Sequence, residues 1–83
     1  MGSRNVNVTY AMKDFIGKKV KVKVRLYGKY LMGTLKSFDK YSNVALEDVE
    51  EYMMNDEGDY EKDSEYSHAL VRGDSIVNIS LIK

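Results

Sequence analysis

The sequence predicts an all-β domain: a small, strongly bent, five-stranded antiparallel barrel led by a short N-terminal helix. Three observations carry this. The chain has 83 residues, room for one domain. From Lys19 to Leu26 basic and apolar side chains alternate strictly, the period of a strand with one buried face. Further short apolar runs follow with turn residues between them, and no proline interrupts any of them.

Residues 1–9 read as a flexible N-terminal segment and residues 10–83 as the domain. Residues 10–16 predict the helix, with Thr9 as N-cap and Gly17 as terminator. Met12, Phe15 and Ile16 share its apolar side. In the first strand Val20, Val22, Val24 and Leu26 face inward, and Lys19, Lys21, Lys23 and Arg25 face outward. A turn at Tyr27-Gly28-Lys29 leads to a second strand, Tyr30 to Phe38. Gly33 inside it marks a bend of the kind a small barrel needs. Asp39 to Ser42 is a turn, and Asn43 to Met53 a third strand. An acidic loop is expected over about residues 54–65, turning at Gly58. Tyr66 to Val71 is the fourth strand, Arg72 to Ser75 a tight turn, and Ile76 to Ile82 the fifth strand, with Val77, Ile79 and Leu81 on one side.

The formal net charge is zero, but the charge is segregated. Residues 1–46 carry ten Lys/Arg and two acids, whereas residues 47–65 carry ten acids and one base, Lys62. A basic half suits nucleic acid, and it also suits an ordinary solvated strand face. With no cysteine, disulfides and thiolate metal sites are excluded, and a reducing cytoplasmic setting is compatible. No apolar run approaches the ~18 residues of a membrane-spanning helix, and the N-terminus lacks the pattern of a signal peptide. His68 is the single histidine. No nucleophile–base set is visible, and Asp56-Glu57-Gly58-Asp59 lacks the alternating ligands of a calcium loop. The expectation is therefore a non-enzyme without metal or cofactor.

The last strand, IVNISLI, is apolar and uncharged. Edge strands are usually guarded by charge or proline, so this one is either covered within the chain or paired with another chain.

Two turn clusters carry the chemistry: Ser37 to Asn43 and Val71 to Ser75. Tyr41 offers a ring on which a base stacks. Asn43 offers an amide that both donates and accepts. Arg72 offers a planar cation for a base or a phosphate. Gly73 allows close backbone approach, and Asp74 accepts hydrogen bonds and holds an arginine. Each also has a plain structural role: Tyr41 as a lid on the barrel end, Asp39 and Asn43 as turn formers, Arg72-Gly73-Asp74 as a hairpin turn.

LYGKYLMGTLKSFDKYSNVALEDVEE, residues 26–51, resembles the first Sm motif, and ALVRGDSIVNISLI, residues 69–82, resembles the second. The chain is thus similar to the Sm and Sm-like family over residues 10–82. The Arg-Gly-Asp form of the second motif looks like that of archaeal homomeric subunits. The resemblance implies a helix capping a bent barrel, closure of subunits into a ring, usually of seven, by pairing strand four with strand five of the next, and binding of single-stranded uridine-rich RNA at the pore. It implies that Tyr41 stacks on uracil, Asn43 reads its edge, Arg72 stacks on the other face, and Asp39 and Asp74 support the turns and the pocket, with Gly73 among the RNA-binding residues. Ser42 departs from the pattern, which usually has an apolar residue there. A second reading keeps the ring but makes it a protein-interaction scaffold, its acidic loop meeting a basic partner without sequence-selective RNA binding.

Overall fold

The valine–lysine alternation becomes β1, Lys19–Val24. The structure, a computed structural model, describes residues 12–26 and 28–82. Val20 and Val22 are fully buried, while Lys19 and Lys23 stand in solvent. This pattern specifies register, because a slip of one residue would exchange valines for lysines in the core. β2, Lys29–Phe38, pairs with one side of β1, and β5, Ile76–Leu81, with the other. β3, Val44–Met54, pairs with β2, and β4, Tyr60–Val71, pairs with β3. All neighbours are antiparallel, in the order β4-β3-β2-β1-β5.

That order forces the curvature. β4 and β5 lie at opposite edges of the sheet, yet only Arg72 to Ser75 separate them in sequence. A chain gains at most ~3.3–3.6 Å per residue, so the two edges must come close together. The sheet therefore curls around its core: Met12, Val20, Val22, Leu31, Leu35, Val44, Leu46, Val49 and Val71. Phe15, Phe38, Ile76, Ile79 and Leu81 pack against that cluster.

The predicted bend at Gly33 is present, and β3 shares it. Met32 opposes Glu50 while Thr34 opposes Glu47, so Asp48 and Val49 together face Gly33. Asp48 takes a left-handed φ of 55°. Such a bulge bends its strand and increases local twist. A Cβ on Gly33 would lie 3.0 Å from the Glu47 carbonyl and 3.3 Å from Val49 Cγ2, so the missing side chain is what lets β3 fold closely over β2.

Three sequence expectations are corrected. Within the described residues the helix is a 3-10 turn, Lys13–Phe15, preceded by Met12 in helical conformation. Gly17, at φ 82°, ends the turn, and its N–H donates to the Leu35 carbonyl at 2.7 Å, passing the chain onto β2. Met12 is fully buried, but Ile16 is 42% exposed. Thr9, Tyr10, Ala11 and the segment 1–9 lie outside the described residues, as does Tyr27.

In β5 a bulge opposite Lys23 and Val24 leaves Val77 without a partner, so Ile76 takes the inward place expected for Val77. The acidic loop is also much shorter than drawn. It is the turn Asn55 to Asp59, and Tyr60 already belongs to β4. Asn55 Oδ1 accepts from the N–H groups of both Glu57 and Asp59 at 2.9 Å, and Gly58 adopts φ 88°. Cross-strand contacts then carry the ladder outward. Tyr30 stacks on Tyr52 and meets the edge of Tyr60, and Lys62 pairs with Glu50 and Glu65. A run so rich in acids reads as a loop because its partners lie on other strands.

Among the described residues the buried charged side chain is Glu51. Lys29 pairs with it, and the Tyr66 hydroxyl donates to it at 2.7 Å. The Lys29 contact, followed by that of Tyr66, holds the Glu51 carboxyl below the usual glutamate range despite burial.

Candidate nucleic-acid interface

The curl of the sheet brings together the two turns that the sequence singled out. The first, Asp39 to Asn43, joins β2 to β3, and Asp39 organises it. Asp39 Oδ1 accepts from the backbone N–H groups of Tyr41 at 2.9 Å and Asn43 at 3.0 Å. Asp39 Oδ2 accepts from Asn43 Nδ2 at 2.9 Å. Backbone bonds close the same loop, from Ser42 N–H to the Asp39 carbonyl and from Asp39 N–H to the Asn43 carbonyl. Ser42 sits at φ 66°, a conformation that bulky and β-branched residues disfavour. The loop is thus held by one carboxylate in its charged form.

The Asn43 amide is the largest influence on that carboxylate, and it holds Asp39 below the ordinary aspartate value of 3.8. Its folded pKa is depressed, so its support for the loop is complete above the ordinary value. The support is lost as pH falls through the lower folded value. An NMR titration of the Asp39 carboxyl carbon is expected to show a midpoint under 3.8, and a midpoint at or above it contradicts this account of the loop. Loop order is accordingly expected to be independent of pH from neutral down to the ordinary aspartate range.

The second turn, Arg72 to Ser75, docks on the first through Gly73. The Gly73 N–H donates to Asn43 Oδ1 at 2.6 Å, across 30 residues of sequence. A Cβ on Gly73 would lie 2.0 Å from the Tyr41 carbonyl oxygen and 2.9 Å from the Ser42 carbonyl carbon. Only glycine allows this approach. Arg72 Nη2 lies 3.3 Å from Asp74 Oδ2, an exposed pair that orients the guanidinium more than it stabilises the fold.

The six predicted residues therefore form one connected assembly. Asp39, Asn43 and Arg72 line a shallow groove with Phe38 and Leu70. The Tyr41 carbonyl packs on Gly73, and Tyr41, 69% exposed, does not line that groove; the Lys40 ammonium lies 5.3 Å from its ring centre. Sequence reasoning missed Arg25, which it left among the solvated outward residues of the first strand. Arg25 Nε donates to the Asp74 carbonyl at 2.7 Å, and its backbone N–H donates to the Ser75 carbonyl at 2.7 Å. No sequence signal links positions 49 residues apart; the β1–β5 pairing does.

The chemistry follows from the inventory. Asn43 uses one N–H toward Asp39 and one carbonyl lone pair toward Gly73. One N–H and one lone pair remain, a donor beside an acceptor. That pair complements a carbonyl next to a ring N–H, the pattern on the uracil edge. Tyr41 and Arg72 add two planar groups suited to stacking. The nearby cations Lys40, Arg25 and Arg72 suit a phosphate chain.

An LSM domain model matches residues 10–81. The chain belongs to the LSM family. The U6 snRNA-associated Sm-like protein LSm6 of Chaetomium globosum is 38% identical over 69 residues, covering 83% of this chain and 77% of that protein. Among solved structures, the heptamer of SmAP1 from P. aerophilum is 35% identical with TM-score 0.72, covering 93% and 95% of the two chains. The Sm protein of Pyrococcus abyssii, solved in complex with a uridine heptamer, is 27% identical with TM-score 0.71, covering 89% and 96%. This LSM domain thus has the bent five-stranded sheet of the Sm fold, and its two motifs fall on the two docked turns.

Proposed function

We propose that this LSM protein assembles with copies of itself into a ring, of seven subunits as in SmAP1 of P. aerophilum, and binds single-stranded uridine-rich RNA where the two turns meet, in cytoplasmic RNA processing or ribonucleoprotein assembly. The observation that carries the reading is Asn43, locked between Asp39 and Gly73 so that its remaining donor and acceptor match a uracil edge. The uridine heptamer bound by the Sm protein of Pyrococcus abyssii supports the choice of base.

The sheet edges support the ring. Leu70 on β4 is 86% exposed and Val77 on β5 is 46% exposed, and neither edge carries a partner strand within the described residues. Antiparallel pairing of β4 with β5 of the next subunit covers both and removes the edge of β5, which no charge guards. The acidic hairpin turn, with Asp56, Glu57 and Asp59 exposed, supports a lesser reading in which a basic protein docks there.

The test is binding of oligouridine and oligoadenosine of equal length, with native mass spectrometry of the same samples. A ring that prefers oligouridine is expected. A monomer at micromolar concentration, or equal affinity for the two RNAs, overturns the proposal.

A further inference from the structure

The outward face of β1 is not used by the pocket. Lys19, Lys21 and Lys23 alternate along it, and across the ladder Lys21 opposes Ser80 and Lys23 opposes Asn78 on β5, both exposed. Residues directly opposed in an antiparallel pair share a face, so the three lysines, a hydroxyl and an amide form one polar strip. Lys21 lies 4.4 Å from the centre of the Tyr30 ring. Lys19 and Lys23 make no ion pair among the described residues. The outward acids further along the sheet are already engaged: Glu47 by Lys36, and Glu50 by Lys62. Lys62 is shared between Glu50 and Glu65, and Lys19 also acts on Glu50 through space, so the strip is positive, partly offset at Lys19 and least offset at Lys23.

It also leads somewhere. Past Lys23 the chain reaches Arg25, whose guanidinium holds the Asp74 carbonyl of the pocket turn. Arg25, Asn78, Ser42 and Gly73 line a groove between the strip and the docked turns. Alternate residues on a strand are ~6.6–6.8 Å apart, comparable to successive phosphates of an extended single strand. Ring closure through β4 and β5 consumes sheet edges and leaves this face open.

Resting on the RNA reading above, we infer that the outer face of β1 and β5 is a second RNA contact. RNA held at the pocket continues past Arg25, and its phosphates run over Lys23, Lys21 and Lys19. The contact is electrostatic and indifferent to base, whereas the pocket selects it. RNA that only fills the pockets does not reach the strip, and longer RNA does.

The experiment compares two oligouridines, one just long enough to fill the pockets and one several times longer, on wild-type ring and on the variant Lys19→Gln, Lys21→Gln, Lys23→Gln. Native mass spectrometry confirms that the variant ring is intact. A second variant, with the three lysines replaced by arginine, keeps the charge and guards against a folding artefact. The glutamine variant is expected to bind the short RNA as wild type does. It is expected to bind the long RNA more than about tenfold more weakly at low salt, with a shallower dependence of log K on log salt, since fewer counterions are released. The arginine variant retains long-RNA binding. Equal long-RNA affinity and salt slope in wild type and the glutamine variant overturn this inference and leave the pocket standing. Failure of wild type to bind either RNA overturns the pocket reading and this inference with it. If polyglutamate binds wild type as tightly as the long RNA does and the glutamine variant loses both, the strip is a dock for acidic protein and the inference fails.

Discussion

Replacing Tyr41 or Arg72 with alanine is expected to abolish tight oligouridine binding while leaving the ring folded and assembled. Both side chains stand in solvent, Tyr41 at 69% and the Arg72 side chain at 80%. Truncations at such positions usually change stability by about 0.5 kcal/mol or less. Loss of a stacking partner, by contrast, costs ~1–3 kcal/mol per base. A ring repeats the loss at every subunit, so the effect on a strand spanning several pockets is multiplied by multivalency. Arg72→Lys separates the two roles of the arginine, because lysine keeps the charge and lacks the planar fork. It is expected to recover part of the electrostatic affinity and little of the preference for uridine over adenosine. Fluorescence anisotropy with labelled oligouridine, beside thermal melting and native mass, reads all of this. Both alanine variants binding like wild type would remove Tyr41 and Arg72 from the site.

A comparable loss is expected from a single methyl group at position 73. In Gly73→Ala the new Cβ would fall 2.0 Å from the Tyr41 carbonyl oxygen and 2.9 Å from the Ser42 carbonyl carbon, both backbone atoms. Backbone cannot give way as a flexible side chain can, so the two turns must separate. Separation breaks the bond from the Gly73 N–H to Asn43 Oδ1 and frees the amide that presents the uracil-matching pair. Forcing extra volume into a packed contact typically costs ~1–3 kcal/mol, so melting should fall modestly. Base selectivity should collapse further than stability does, because Asn43 loses its orientation. A lower melting temperature with an unchanged oligouridine-to-oligoadenosine ratio would show that docking of the turns does not orient Asn43.

Much of the architecture was legible in the residues. The alternation of Val20 and Val22 with Lys19, Lys21 and Lys23 marked β1, because burial of one face leaves a period of two that no helix reproduces. Gly33 marked the bend, and Asp39, Tyr41, Asn43, Arg72, Gly73 and Asp74 fell on the two turns that meet. Local bonding explains this legibility. Asp39 and Asn43 are four residues apart and bond directly. Such short-range turn chemistry is written in the order of the chain.

What the sequence alone determined, then, is the strand pattern, the turn chemistry and the segregation of charge. Tertiary structure decided the rest. The acidic run Tyr60 to Glu65 is strand because Tyr30, Tyr52 and Glu50 on other strands receive it. Val77 left the inward face because β5 slips against β1 at Lys23 and Val24. Arg25 joined the pocket turn, and Gly73 reached Asn43, only when the sheet curled far enough to bring β4 and β5 near each other. The physical reason is common to all three. Each depends on a partner distant along the chain, and a periodicity records which face a residue presents but not what comes to lie against it.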